Sequence, residues 1–163
     1  MLQPTRRKAV HARGRRFVIV CSRYNPEYTG PMRAAAEAVL HEAGARVETV
    51  EVPGAFEIPV AASVLLSRLG RKPDAVLCLG LILQGRTNHA DHIGEAVTRA
   101  LMEISVRTGV PCIHEVLTVA DRKLAEERCV DPRTNRGAEA AHTALSLADT
   151  LSALRPRPET RRR

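Results

Sequence analysis

The sequence predicts an α/β domain, a three-layer α/β/α sandwich built on a four-stranded parallel sheet. Three observations lead there. Short apolar runs, Phe17-Val-Ile-Val-Cys21 and Ala75-Val-Leu-Cys-Leu79, have the composition of strands buried on both faces. Between such runs, apolar residues recur at helical spacing. Glycine and proline punctuate the changes from one pattern to the other. Strands that alternate with helices imply parallel pairing and right-handed crossovers, with helices covering both faces of the sheet.

Each element follows in order. After the first strand, Phe17–Cys21, the segment Ser22-Arg-Tyr-Asn-Pro26 turns out of the sheet. Thr29-Gly30-Pro31 is expected to open a helix carrying Met32, Ala35, Ala36, Val39 and Ala43 on its apolar face, with Gly44 as its stop. Arg46–Val52 alternates polar and apolar residues and reads as a strand nearer the sheet edge. Pro53-Gly-Ala-Phe-Glu57 turns into a second helix marked by Ile58, Ala61, Ala62, Leu65 and Leu69, with Pro59 in its first turn and Gly70 closing it. Ala75–Leu79 is the third strand, expected to end at Gly80 in a loop that runs to His89. Ile93, Ala96, Val97, Ala100, Leu101 and Ile104 mark the third helix, ended by Gly109 and Pro111. A fourth strand, Pro111–Leu117, precedes a short helix over Asp121–Arg128 and a connection over Asp131–Asn135. Ala140, Ala144, Leu147, Leu151 and Leu154 form the stripe of a final helix, which Pro156 and Pro158 terminate. There is no internal repeat.

Composition sets limits on function. A chain of 163 residues with 44% hydrophobic content fits one domain with a real core. The longest apolar run, Ala75–Leu83, contains Gly80 and is too short to span a bilayer; the basic N-terminus lacks the apolar segment of a secretory signal. Cys21, Cys78, Cys112 and Cys129 form no C-x-x-C pair, and Cys21 and Cys78 fall within strands, so a reducing, cytoplasmic setting is expected. The net charge of +7 is unevenly distributed. Residues 1–16 and 155–163 hold 11 of the 25 basic residues and one of the 18 acids, a net of +10, which leaves −3 for the body between them. The body is therefore not a basic nucleic-acid groove. The ends read as basic flexible arms flanking a domain at 17–154, and any polyanion contact would run through them.

In a parallel sheet, ligands bind outside the carboxyl ends of the strands. Ser22–Asn25, Pro53–Glu57, Gly80–His89 and His114–Glu115 are expected there. Only four residues are aromatic, two Tyr and two Phe, and two of these, Tyr24 and Phe56, fall in post-strand turns. They either cover sheet ends or offer a stacking surface to a flat ring. No glycine lies between Cys21 and Tyr28, which excludes a dinucleotide fingerprint, and no Walker-type lysine follows Gly85. Gly85-Arg86-Thr87 before a helix suits a small phosphate, held by backbone N–H groups, the Thr87 hydroxyl and Arg86. His89-Ala-Asp91-His92 invites a metal reading, but Asp91 and His92 diverge around a helix and no third ligand is evident; an uncoordinated His89 acting as acid and base is the stronger reading.

At this point the residues resemble a known family. Val52-Pro-Gly-Ala-Phe-Glu-Ile-Pro59, the Gly-x-Thr-x-His-x-Asp pattern at Gly85–Asp91, and Asn135-x-Gly137-x-Glu139-Ala140-Ala141 with Arg128 upstream are similar to segments of 6,7-dimethyl-8-ribityllumazine synthases. Phe17–Asn25 and Val110–Thr118 extend the likeness over about residues 17–152. The resemblance implies a flavodoxin-like fold. It also implies condensation of 5-amino-6-(D-ribitylamino)uracil with 3,4-dihydroxy-2-butanone 4-phosphate, without metal or cofactor, at sites between subunits of a homopentamer. By resemblance, Tyr24 stacks on the pyrimidine; Ala55, Phe56 and Glu57 line the ribityl and pyrimidine site; Leu81, Ile82 and Leu83 offer backbone to the uracil; Arg86 and Thr87 take the phosphate; and His89 shuttles protons. Arg128 would reach a neighbour's phosphate site and His114 would wall a neighbour's pocket.

The chain departs from the family at several positions. Arg86 stands for a small residue, Gln84 for an arginine, His92 for a tyrosine, His114 for a phenylalanine and Arg136 for a lysine. These departures bear on affinity and pH dependence more than on fold. They leave open an alternative function, a catalytically weak lumazine- or flavin-binding oligomer.

Overall fold

The computed structural model describes residues 11–68 and 70–154. The strands are β1 (Arg16–Ser22), β2 (Arg46–Val52), β3 (Ala75–Leu83) and β4 (Cys112–Val119). They pair in parallel in the order β2-β1-β3-β4, which puts the polar, alternating β2 at an edge, as its sequence indicates. The helices are α1 (Pro26–Glu42), α2 (Ile58–Ser67), α3 (His89–Thr108), α4 (Arg122–Cys129) and α5 (Arg136–Leu154), with a single 3₁₀ turn, Ala55–Glu57, before α2. Leu69, expected on the second helix, lies outside the described residues, as do residues 1–10 and 155–163 of the two arms.

Two cores sandwich the sheet. Side chains alternate across β1 and β3, so Phe17, Ile19, Leu77 and Leu79 face α1, α4 and α5, whereas Val18, Val20, Val76 and Cys78 face α2 and α3. The α1/α5 contact is the tightest. A Cβ at Gly137 would stand 1.9 Å from the Met32 carbonyl oxygen, so glycine is required for the two helix backbones to approach. Asn135 starts α5: its Oδ1 accepts from Gly137 N–H (2.9 Å) and Ala138 N–H (3.2 Å), and its Nδ2 donates to Cys129 O. Asp121 caps α4 in the same way, accepting from Leu124 N–H at 2.8 Å. Ala12 is fully buried and donates its N–H to Ala43 O at 2.7 Å, so packing reaches back beyond residue 17.

The structure corrects three expectations. β3 does not end at Gly80 but continues to Leu83, paired with β4 through Leu83↔Val119. Gly80 is a close-packing position rather than a break, because a Cβ there would meet Ile58, Ser22 and Val116 side chains at 3.2–3.3 Å. α1 begins at Pro26 instead of Thr29–Pro31; Asn25, with φ 56°, turns the chain into the helix, Pro26 needs no N–H partner in the first turn, and Pro31 is accommodated inside the helix. β4 runs on to Val119, so His114 and Glu115 sit in mid-strand rather than at its carboxyl end; His114 pairs with Cys78.

Candidate active site

The site grows from unequal strand lengths. β1 pairs with β3 only as far as Cys21↔Leu79, while β3 continues beside β4 to Leu83. From Gly80 on, the flank of β3 that faced β1 has no strand partner. The Leu81 carbonyl points to that flank, since it accepts from Asn25 Nδ2 at 3.1 Å; alternation turns the backbone of Leu83 the same way, while Gln84 N–H points across to Val119 O (2.8 Å). A short stretch of hydrogen-bonding main chain thus lies open between the turn after β1 and the end of β3. The side chains of Leu81 and Ile82 are buried, one in each core, so this stretch offers backbone to a ligand.

Two turns wall it. Tyr24 is 70% exposed beside the left-handed Asn25, whose carbonyl accepts from Tyr28 N–H (2.9 Å) and Thr29 N–H (3.0 Å). Gly54 brings the second turn against the first: a Cβ there would lie 2.9 Å from Glu57 Oε2 and 3.4 Å from Cδ2 of Tyr24. Tyr24 and Glu57 therefore converge on one small backbone patch. Phe56 is 59% exposed next to them and Ala55 is buried beneath. An open aromatic face beside a carboxylate suits a flat ring bearing hydroxyl groups.

The third wall is the loop 84–88 and the start of α3. Arg86, Thr87 and His89 are exposed there. Asn88 stands at the N-cap but its side chain makes no capping hydrogen bond, which suits the first N–H groups of this 20-residue helix to an anion. Gln84 Nε2 donates to Asp91 Oδ2 at 3.4 Å, which ties the loop to the first turn. Among the described residues no group of three His, Cys, Asp or Glu side chains is placed to hold a metal ion.

Two of the expected residues lie apart. Arg128, half exposed on the last turn of α4 with Glu127 Oε1 at 3.9 Å, is on the α1/α5 side of the sheet, opposite α3. His114 lies along β4, its Nε2 2.9 Å from Thr98 Oγ1. The Thr98 hydroxyl also lies 2.7 Å from Gly94 O; with its proton placed there, Nε2–H is the donor to Thr98. Burial pushes the His114 pKa down, favouring the neutral ring.

The sequence reading also missed a buried charge cluster. Glu115 accepts from Arg136 Nε (3.0 Å) and Nη2 (3.1 Å), and Arg136 Nη1 donates to Glu139 at 2.6 Å. Burial raises the Glu115 carboxyl to about 7 against the opposing pull of Arg136. Glutamate at a position facing the helix layer, in a strand otherwise apolar on that side, was the available signal.

The family model for 6,7-dimethyl-8-ribityllumazine synthase matches residues 14–152. The chain belongs to this family. A lumazine synthase of Xylella fastidiosa (strain 9a5c) is 39% identical over 144 residues, covering 86% of this chain and 92% of that protein. One of Leifsonia xyli subsp. xyli is 37% identical over 154 residues, covering 93% and 96%. The lumazine synthase match runs through all three walls and through the Glu115–Arg136 cluster.

Proposed function

We infer that the protein condenses 5-amino-6-(D-ribitylamino)uracil with 3,4-dihydroxy-2-butanone 4-phosphate, giving 6,7-dimethyl-8-ribityllumazine, phosphate and two waters. The observation that carries this reading is the main chain of β3 beyond its pairing with β1, where among the described residues Leu81 O meets only the Asn25 side chain, walled by Tyr24, Glu57 and the amino end of α3. The pyrimidine edge would bond to that backbone while its face lies against Tyr24. Glu57 would accept from ribityl hydroxyls beside Phe56 and Ala55. The phosphate would take the α3 N–H groups, Thr87 and Arg86.

Held together in this way, the two reactants gain chiefly from proximity. The 5-amino group attacks the butanone carbonyl; loss of water gives an imine, loss of a C3 proton and the C4 phosphate gives an enol that becomes a ketone, and attack of the ribitylamino nitrogen on that ketone with a second dehydration closes the ring. His89 would carry protons between these groups, a role open to an imidazole near neutral pH and worth about 10²–10⁴-fold.

The site is open on one side, and Arg128 and His114 lie away from it, which supports completion by a second copy in a homopentamer. The exposed apolar side chains Val60 and Val64 on α2 and Met102 and Val106 on α3 favour such an assembly. Four unpaired cysteines favour a reducing, cytoplasmic setting. No helix of the described residues is long and apolar enough to cross a membrane. The test is to mix both substrates with the protein and follow lumazine absorbance. Phosphate release matched to lumazine formation is expected; a protein that binds lumazine but forms none would overturn the reading in favour of a binding role.

A further inference from the structure

Strand direction sorts the charges of this chain. The site just described lies at the carboxyl ends of β1 and β3. At the opposite, amino ends stand Arg13, Arg15, Arg16, Arg46, Arg68, Arg71 and Lys72. Hydrogen bonds around the starts of the strands hold Arg15, Arg16, Arg46 and Arg71: Arg46 N–H to Arg15 O (2.9 Å), Asp74 N–H to Arg16 O (2.7 Å), Arg71 Nη2 to Gly14 O (2.9 Å) and Arg16 Nη1 to Arg71 O (3.2 Å). Glu48, Asp74 and Asp149 pair with Arg16, Arg71 and Arg15, and Glu42 adds a fourth carboxylate. Seven cations against four carboxylates leave +3 at this end. Among the described residues Arg13, Arg46, Arg68 and Lys72 form no ion pair, and all four are exposed.

The described residues also begin and end on this side of the domain. His11 adjoins Ala12, which is bonded to the α1–β2 turn, and α5 reaches Leu154 five residues after Asp149, the partner of Arg15. The sequence before residue 11 carries Arg6, Arg7 and Lys8, and that after residue 154 carries Arg155, Arg157, Arg161, Arg162 and Arg163 with Glu159. Together those two segments carry +7 in sequence, so the described residues are neutral as a whole, +3 at this end and −3 elsewhere. The 20 residues of α3 separate the two poles by about 30 Å.

We propose that the amino-end pole of the sheet, centred on Arg13, Arg46, Arg68 and Lys72, binds the phosphodiester backbone of a nucleic acid without sequence preference. Arginine predominates, and its planar fork matches phosphate oxygens. Phe17, next to Arg16, is fully buried and offers no face for a base to stack on, so contact is with phosphates. The cations ring the strand starts rather than lining one helix face beside apolar residues, which is the arrangement an anionic lipid surface favours.

The test uses the full chain and a labelled oligouridylate, titrated at several salt concentrations. Binding should weaken steeply with salt. The fourfold variant Arg13→Ser, Arg46→Ser, Arg68→Ser, Lys72→Ser should flatten the log–log salt slope by about 3 and weaken low-salt binding by roughly tenfold or more. Its thermal midpoint and lumazine formation should stay unchanged, because the substituted side chains are exposed and far from His89. Equal affinity and slope for the variant and the parent would overturn the proposal by leaving the arms alone responsible. Absence of RNA binding, or binding to phosphatidylserine/phosphatidylcholine vesicles in its place, would overturn it as well.

Discussion

Asn25 tests how the site is held open. It occupies the left-handed region (φ 56°, ψ 55°) and donates from Nδ2 to Leu81 O at 3.1 Å, linking the turn after β1 to the unpaired end of β3. Asn25→Ala keeps a Cβ at positive φ, where an L-residue pays about 1–2 kcal/mol, but loses the polar side chain that lets asparagine bear part of that cost, and it removes a hydrogen bond worth about 1 kcal/mol. Asn25→Gly removes the same bond but is at ease at positive φ. We expect a loss of about 2 kcal/mol for alanine and about 1 kcal/mol for glycine. For a domain of this size that corresponds to midpoint falls of roughly 4–8 °C and 2–4 °C. Both variants free the Leu81 carbonyl and the Tyr24 turn, so both should raise KM for the pyrimidine substrate more than they lower kcat. Differential scanning fluorimetry and steady-state kinetics on the three proteins read both effects. Equal midpoints for the two variants would refute the conformational argument, and an unchanged KM would refute the role given to this turn.

Other perturbations separate packing from electrostatics. Gly137→Ala forces a methyl to 1.9 Å from Met32 O and should cost about 3 kcal/mol or more, seen as a midpoint fall of at least roughly 6 °C; a shift within error would mean α1 and α5 do not meet in this way. Glu115, with its carboxyl raised from 4.5 to about 7, favours the folded state most below pH 4.5, and that contribution is lost as pH rises through 7. The full shift corresponds to at most about 3 kcal/mol. Thermal midpoints of the parent should therefore decline from pH 5 to 8 relative to Glu115→Gln; parallel curves would show that Arg136 keeps the carboxylate charged throughout. Burial holds the His114 pKa down, so His114→Phe should leave the activity–pH profile in place, and a displaced limb would identify His114 as a titrating group.

Much of this was legible because buried parallel strands and amphipathic helices carry different periodicities. Phe17–Cys21 and Ala75–Leu79 mark the two central strands, and the alternation of Arg46–Val52 marks an edge. What escaped depended on neighbours. Gly80 looks like a break until Ile58, Ser22 and Val116 are seen to crowd it, and the extra length of β3 that opens the site is a property of pairing with β4. A proline at residue 31 suggested a helix start, but the conformation of Asn25 moves that start to Pro26. The turns holding Tyr24 and Glu57 could be placed from strand order, whereas their convergence on Gly54 could not. Glu115 and Arg136 are 21 residues apart in sequence, and only the packing of α5 on β4 joins them.

The central claim is that His89, at the start of α3, moves protons in a site whose pyrimidine contacts belong to other residues. The most direct measurement pairs single-turnover kinetics of His89→Ala with an equilibrium titration of the pyrimidine. The account predicts turnover slowed by about 10²–10⁴-fold with pyrimidine affinity nearly intact. Lost affinity with normal turnover of bound substrate would contradict it.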